Sequence, residues 1–421
     1  MTAICLYFHV HQPYRIKPYQ VFSIGQDHTY FNYSEVGSNL DNKAILRKVT
    51  DKSYLPATQL IKRLLKKHPE FKVSFSISGL VIEQLKEVAP EVIKEFQKLA
   101  ETGQVEFLAE TYYHSLASLY SPQEFTRQVK LHHQMVKDLF NQSPTAFRNT
   151  ELIYNNEIAQ WAESLGYQVI LAEGADQILD WRTPNAIYRP TGTNNISLLL
   201  KNYRKSDDIA FRYSDKNWSH YPLTADKYAT WIHQLIPESQ VINLFMDYET
   251  LGEHHWQETG IFDFLEQLPS ALLKHPELEF LTVSQAAQKY PAIEELDIPI
   301  YTSWADTERD ISAWRGNALQ HSALERLYKL EPDIIASNDS KLIHDWRKLQ
   351  TSDHFHYMST KSQDDGMVHD YFSPYESPYD AFTNFMNVLQ DIEYRIKRSN
   401  TQSTTAKPSP SLEEKMERVS F

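Results

Sequence analysis

The sequence predicts an α/β protein with a parallel sheet, followed by a mostly helical region. Over the first two-thirds of the chain, short and continuously apolar runs alternate with longer amphipathic stretches. Continuous apolarity marks strands that are covered on both faces, and alternation with helices implies repeated βαβ units. About seven such units could close into a barrel or stay open as a doubly wound sheet, and the periodicity does not decide between them.

The candidate strands are short apolar runs, and one or two more strands are expected within residues 187–200. The others lie at residues 4–10, 72–77, 105–109, 145–149, 167–171 and 241–246. The stretches between them have the spacing of amphipathic helices. These candidate helices lie at residues 60–67, 81–100, 123–140, 156–165, 225–235 and 259–268.

After about residue 300 the pattern changes, because helical stretches at 316–332, 341–350 and 379–397 follow one another with few strand-like runs. We therefore expect a (β/α)-type catalytic unit over residues 1–295 and a helical C-terminal domain over 296–399 that contributes to the site. Residues 400–421 are polar and rich in Ser and Thr, which predicts a flexible tail.

Composition narrows the class of partner. The net charge is −13, which argues against nucleic-acid and anionic-membrane surfaces, since both require basic patches. Aromatic residues make up 13% of the chain, which fits either a Tyr-rich core or a surface that stacks on sugar rings. The single cysteine, Cys5, allows no intrachain disulfide, and the N-terminus is a poor signal peptide. No stretch is apolar enough to span a bilayer, so a cytoplasmic protein is expected.

Polar clusters follow four of the predicted strands. His9 and His11 end the first, Glu110 follows 105–109, Glu151 follows 145–149, and Asp247 follows 241–246. Functional sites of parallel α/β folds form at the carboxyl ends of the strands, so these clusters are expected to converge on one face.

His9 and His11 are two residues apart on a strand, so both side chains point to the same face. A single histidine there would be a hydrogen-bonded core residue, whereas a pair fits either metal ligands or donors to a polar ligand. A metal would need a third ligand, for which His254, Asp247 and Glu106 are candidates.

Glu151 and Asp247 lie after different strands. Two carboxylates brought together in this way can cleave a glycosidic bond, one by attacking the anomeric carbon and the other by protonating the leaving oxygen. Taken alone, each would more often be a helix N-cap or a surface ion pair. With only 11 glycines, no G-x-S-x-G and no Cys–His pair, the chain offers no phosphate loop or serine or cysteine nucleophile.

Five stretches together resemble the α-amylase-type members of glycoside hydrolase family 57. They are HVHQP (9–13), GQVEFLAE (103–110), FRNTELIY (147–154), FMDYETLGEHHW (245–256) and SDHFHYMS (352–359). They occur in the family's order, and TSWADTERDISAWRGN (302–317) is similar to the amylase branch. The resemblance implies an incomplete (β/α)7 barrel, TIM-like, followed by a helical bundle, and an enzyme that cleaves α-glucans with retention and without a cofactor or a catalytic metal.

Carried over by motif, the resemblance makes Glu151 the nucleophile and Asp247 the general acid/base. It implies that a further set of residues binds the sugar: His9, His11, Gln12, Glu106, Glu249, Trp256, Trp304, Asp353 and His354. Arg148 stands where some members, notably glucanotransferases, carry tryptophan, and the stretch Asp247–Gly252 also departs from the transferase pattern. Both departures favour the amylase branch, and Trp256, Trp304 and Trp314 are candidates for replacement stacking platforms.

The mechanism that follows from the resemblance requires Asp247 to be protonated when the bond breaks. We therefore expect its pKa to lie above the ordinary value, raised by burial and by the charges of Glu151 and Glu249. The alternatives are a 4-α-glucanotransferase or branching enzyme on the same scaffold, a metal-dependent polysaccharide deacetylase, and a silent glucan-binding relative. The oligomeric state is not predictable from the sequence.

Overall fold

The computed structural model describes residues 1–361 and 373–405. Its strands are β1 (Thr2–Val10), β2 (Val73–Ile77), β3 (Val105–Phe107), β4 (Ala146–Arg148), β5 (Val169–Glu173), β6 (Ile187–Pro190), β7 (Ser197–Lys201), β8 (Val241–Asp247), β9 (Leu278–Phe280) and β10 (Glu295–Leu296).

Parallel pairing arranges most of these strands in a ring. β1 lies between β2 and β8, β2 pairs with β3, and β5 lies between β4 and β7. A parallel bridge between Ala109 and Phe147 connects the β3 side to β4. Between β7 and β8, the Asn243 side chain donates to the Leu200 carbonyl at 2.8 Å, and the Asn202 amide donates to the Asn243 carbonyl at 2.9 Å. The sheet therefore closes as a barrel with sparse pairing at these two seams, and the open doubly wound alternative is wrong.

The remaining strands lie outside the ring. β9 pairs with the start of β1, β6 runs antiparallel to β7, and β10 pairs with β6. β9 and β10 have three and two residues, too few to show a period in the sequence. The strands predicted from the sequence are present, with bounds that differ by one or two residues.

Helices cover the barrel and form most of the C-terminal region. Up to β10 they are Asn42–Val49, Leu55–Lys67, Gly79–Val88, Pro90–Ala100, Pro122–Phe140, Asn156–Ser164, Asp176–Leu179, Tyr203–Ala210, Ala225–Leu235, Ile261–Leu272 and Val283–Lys289. After β10 they are Ser312–Arg315, Ala318–Lys329, Glu331–Ala336, Ser340–Lys348, Ser352–His356 and Pro378–Thr405.

One predicted helix, 81–100, is two helices in the structure. Pro90 has no N–H and its ring clashes with the preceding turn, so the first helix ends at Val88 and the second starts at Pro90. The helices Asn42–Val49 and Tyr203–Ala210 were not predicted, and both have charged residues among few apolar ones.

The second half of the barrel shares a core with the C-terminal region. Phe147 and Ile170 of the barrel belong to the same buried apolar cluster as Trp314, Trp346 and Phe385. The predicted division at 295/296 falls inside β10, and a separate C-terminal domain stays a prediction. The last helix continues to Thr405, and the rest of the predicted tail, 406–421, lies outside the described residues.

Two short bridges attach C-terminal segments to the ends of barrel strands. Thr302 pairs with Tyr154, and Thr351 pairs with Ser115 in an antiparallel bridge. These bridges carry Trp304 and Ser352 to the carboxyl ends of β4 and β3. Across the described ranges, no helix is both long and apolar enough to span a bilayer.

Candidate active site

A cavity of about 260 Å³ lies at the carboxyl ends of the ring strands. It is lined by polar residues that follow β1, β3, β4 and β8 and by residues from the C-terminal region. Most of the predicted site residues line it: His9, His11, Gln12, Glu151, Asp247, Glu249, Trp304 and Asp353. The convergence expected from four strand ends is therefore present in the structure.

Glu151 enters the cavity from a tight turn after β4. Its backbone has φ 57° and ψ 23°, and Leu152 has φ 52°, so two consecutive residues with a Cβ lie in the left-handed region. Such conformations are strained for ordinary residues and persist only where the surroundings hold them. Here the carbonyl of Glu151 accepts from the Trp304 amide at 3.2 Å, which fixes the turn.

Three donors surround the carboxylate of Glu151. Oε1 accepts from His114 Nε2 at 3.2 Å and from Ser352 Oγ at 2.8 Å, and Oε2 accepts from the Trp304 indole at 2.8 Å. Burial alone would raise the pKa of this carboxyl, but the hydrogen bond and charge of His114 outweigh it and hold the pKa well below the ordinary value. Glu151 is thus an ionised, oriented carboxylate.

His114 lies between two carboxylates. Its Nδ1 faces Glu110 Oε2 at 3.4 Å while its Nε2 faces Glu151. Burial opposes the charged imidazole, yet the hydrogen bonds that His114 donates to Glu110 and Glu151 raise the His114 pKa to about 9. Glu110 is fully buried and also contacts His9 Nε2 at 3.3 Å. The sequence analysis did not identify His114 as a site residue, and it gave Glu110 no role.

Asp247 ends β8 with its side chain 42% exposed, and its Oδ1 lies 3.3 Å from His9 Nδ1. Burial acts to raise its pKa, but the hydrogen bond and charge of His9 are stronger, so the pKa is lowered. The expectation of a raised pKa is therefore wrong for the protein without substrate, because the partner of Asp247 on the neighbouring strand β1 is the imidazole of His9.

The pKa of Glu249, two residues after Asp247, is raised rather than lowered. It is buried, accepts from the Tyr54 hydroxyl, and lies 3.4 Å from Gln12 Nε2. Burial, followed by the charge of Asp247, raises the Glu249 pKa to about 8. Glu249 is therefore the neutral carboxyl of this site at neutral pH.

His11 pairs with Asp353 from the C-terminal region. Its Nε2 lies 3.1 Å from Asp353 Oδ2, and its Nδ1 lies 2.7 Å from Ser78 Oγ. Burial lowers the His11 pKa to about 4. Burial acts to raise the pKa of Asp353, but the interaction with His11, with the charge of His114, outweighs it and lowers the Asp353 pKa to about 2. His11 therefore donates from Nε2 as a neutral ring, and Asp353 is an anion.

Two groups in the described part of the chain have the residue types of a metal site. The candidate ligand atoms of His9, Glu110 and His114 lie within 4.8 Å of one another, as do those of His11, His114 and Asp353. Most of these atoms already face one another as hydrogen-bond partners. Several of these atoms are therefore occupied by hydrogen bonds within the site, whereas Glu110 Oε1 is buried without a hydrogen-bond partner among the described residues.

Trp304 lies between two cations. The Arg148 guanidinium is 4.8 Å and Lys201 Nζ is 5.5 Å from the centre of its ring. Cations over an indole face stabilise it and fix its plane. Arg148, the residue that departs from the transferase pattern, is fully buried beside the site. Trp304 therefore has two cations near its ring while its indole N–H donates to Glu151.

Three predicted substrate-binding residues do not line the cavity. Glu106 is held by Ser284, whose amide donates to it at 3.1 Å, and by Ser74 at 3.4 Å. Trp256 is 59% exposed with Lys52 Nζ 4.9 Å from its ring centre. His354 is buried and its Nε2 donates to the Lys348 carbonyl at 3.2 Å. Their roles in substrate binding therefore stay predictions, and it is Glu110 that contacts the cavity residues His9 and His114.

Known proteins resemble this chain in sequence. The sequence profile of the family described as "Glycosyl hydrolase family 57" matches residues 5–299. A protein of Methanocaldococcus jannaschii described as "Putative alpha-amylase" is 43% identical over 402 residues, which cover 93% of this chain and 84% of the relative.

Solved structures resemble the chain in fold. The GH57 branching enzyme of Thermococcus kodakaraensis matches with a TM-score of 0.69 at 14% identity, over 99% of this chain and 94% of that one. The 4-alpha-glucanotransferase of Thermococcus litoralis matches with a TM-score of 0.57 at 16% identity, over 88% of this chain. The chain spans 54% of the length of that transferase.

Proposed function

The chain belongs to glycosyl hydrolase family 57, and from this premise we propose that it hydrolyses α-1,4-glucosidic bonds of α-glucans with retention of anomeric configuration. Membership makes it a glycoside hydrolase. The observation that carries the finer proposal is the pair of carboxylates, Glu151 and Asp247, on different strands of one cavity. The Glu151 side chain is 17% exposed and has three donors around it, whereas the Asp247 side chain is 42% exposed, so the two carboxylates have different surroundings, as a double displacement needs.

In the first step, Glu151 attacks C1 of the bound glucosyl unit and the bond to the leaving oxygen breaks. The donors of Glu151 keep it ionised and aimed, so no reorganisation is needed when the glycosyl ester forms. Retention requires a separation of about 5–5.5 Å between the two carboxyl groups in the complex.

Asp247 then supplies the proton for the leaving oxygen. A sugar placed over its exposed side chain displaces water, which favours the neutral acid and offsets the effect of His9. Once the ester has formed, the negative charge of Glu151 is lost and the pKa of Asp247 falls again. Asp247 can therefore act as the base that takes a proton from the incoming water.

The other cavity residues bind the sugar next to the broken bond. Asp353 is an acceptor for sugar hydroxyls, and the neutral carboxyl of Glu249 can donate to one. These groups are themselves held by His11 and Tyr54. A hydrogen bond that strengthens as positive charge develops on the sugar ring accelerates the reaction.

Azide rescue tests the two roles separately. With an aryl α-maltoside as substrate, azide should restore turnover to Asp247→Ala and give the α-glycosyl azide, because azide replaces water in the second step. With Glu151→Ala, azide should attack C1 from the vacated side and give the β-glycosyl azide. Glu157→Ala is the matched control, since Glu157 is exposed on the next helix. Azide products of the same anomeric form from both variants would contradict the assignment.

A 4-α-glucanotransferase activity on the same site is distinguished by its products. A hydrolase acting on maltotriose gives glucose and maltose in equal amounts from the start. A transferase gives chains longer than maltotriose at early times, and their dominance would overturn the hydrolytic proposal.

A further inference from the structure

We infer that Phe211 is the stacking platform for the leaving-group side of the glucan, and so a residue that determines preference for chain length beyond the broken bond. The inference rests on the proposed function, because it takes Asp247 as the acid. It concerns a residue that the sequence analysis did not single out.

Phe211 is both largely exposed and part of the cavity lining. Its side chain is 64% exposed, and it lines the cavity that contains Glu151 and Asp247. Among the large exposed apolar side chains of the described residues, it is the one that lines this cavity. An exposed ring at the mouth of a polar cavity is free to cover the apolar face of a sugar ring.

The other aromatic residues of the cavity are already engaged. Trp304 donates to Glu151 and has two cations near its ring. Phe245, Trp314 and Tyr357 are buried, with exposed fractions of 0%, 1% and 4%. Within the described chain, Phe211 is therefore the cavity aromatic with most of its surface open to a ligand.

Phe211 lies on the side of the cavity that Asp247 serves. The segment that carries it is attached to the chain that follows β8: His255 Nε2 donates to the Ala210 carbonyl at 3.0 Å, and Ser214 Oγ donates to His255 Nδ1 at 2.7 Å. Glu151 instead has residues of β3 and the C-terminal region around it. A general acid protonates the leaving oxygen, so the sugar that departs lies on the Asp247 side.

The backbone that carries the Phe211 ring is held by a hydrogen bond and a neighbouring ion pair. The amide of Phe211 donates to the Asp207 carbonyl at 3.0 Å, and Arg212 forms an ion pair with Asp208 at 2.6 Å. His255 is buried and burial lowers its pKa, so its ring is neutral, as a single donor and a single acceptor require. A backbone fixed in advance loses little conformational freedom when a sugar stacks on the ring that it carries.

The test compares a substrate whose leaving group is a glucan chain with one whose leaving group is not a sugar. In maltoheptaose the leaving group is a glucan chain, whereas in α-maltotriosyl fluoride it is a fluoride ion that occupies no sugar site. We expect Phe211→Ala to lower kcat/KM for maltoheptaose about tenfold, mainly through a higher KM. The kcat/KM for α-maltotriosyl fluoride should stay within about twofold of the wild-type value. Phe211→Tyr should keep the wild-type values, because it keeps the ring.

Phe22→Ala is the matched control, because Phe22 is 83% exposed and lies away from the cavity lining. Phe22→Ala should leave kcat/KM unchanged for both substrates. An equal loss on both substrates in Phe211→Ala, or no loss on either, overturns the platform while the wild-type rates still support the proposed function. A wild-type enzyme that cleaves neither substrate overturns both.

Discussion

The variant Glu249→Gln tests whether Glu249 is protonated in the folded protein, and the measured quantity is the free energy of unfolding. Glutamine has the shape and the neutral charge of the protonated carboxyl, and its oxygen can still accept from Tyr54. The variant thus removes the ionisation of Glu249 and leaves its packing. If burial keeps this carboxyl protonated in the folded protein, the wild type must lose stability as pH rises and the variant must not.

The magnitude follows from the pKa of Glu249, which burial raises from 4.5 to about 8. Between these values the folded protein holds a proton that the unfolded chain has released, so stability falls as pH rises. Over the full range between the two pKa values, the free energy of unfolding falls by about 5 kcal/mol. About 3.5 kcal/mol of this loss falls between about pH 5 and pH 8.

The assay is urea unfolding of wild type, Glu249→Gln and the exposed control Glu258→Gln at about pH 5 and about pH 8. The difference between wild type and Glu249→Gln should change by about 3.5 kcal/mol between the two conditions, in favour of the variant at the higher pH. Glu258→Gln should follow wild type. The same pH dependence in wild type and Glu249→Gln would refute the buried neutral carboxyl.

Three further predictions concern the reaction. His114→Asn removes the cation beside Glu151, so the pKa of Glu151 should rise and the acidic limb of the pH profile of kcat/KM should move to higher pH; an unmoved limb would contradict this. Trp304→Phe keeps the ring but loses the donor, and should lower kcat about 10- to 100-fold with a small change in KM; an unchanged kcat would exclude the indole from catalysis. Treatment with a chelator should leave turnover of maltoheptaose unchanged, because two carboxylates perform the reaction, whereas lasting loss would mean that a metal ion takes part in the cleavage.

The sequence was sufficient for the parallel α/β class and for the placement of Glu151 and Asp247 at the ends of two strands. Continuous apolar strands followed by Glu151 and Asp247 are local patterns, and a parallel fold brings strand ends together whatever the details of packing. The contribution of Asp353 was also predictable, although only from the resemblance. Closure of the ring was not predictable from periodicity, because it depends on Asn243 and on the bridge at Ala109.

The sequence was insufficient where a property depends on a distant partner. Asp247 has a lowered pKa because of His9, which is 238 residues away, and Glu249 has its hydroxyl partner in Tyr54, which is 195 residues away. Glu106 was named from the resemblance alone, whereas the contacts of Glu110 with His9 and His114 depend on residues brought together by the fold. His114 had no periodic signal, since it lies in the irregular segment that follows β3.

The anomeric form of the first product tests the central claim most directly. Proton NMR of maltoheptaose cleavage, recorded before mutarotation, should show the α-anomer as the first sugar released, since two displacements at C1 restore the starting configuration. Initial release of the β-anomer would mean a single displacement by water, and would contradict the role of Glu151 as a nucleophile.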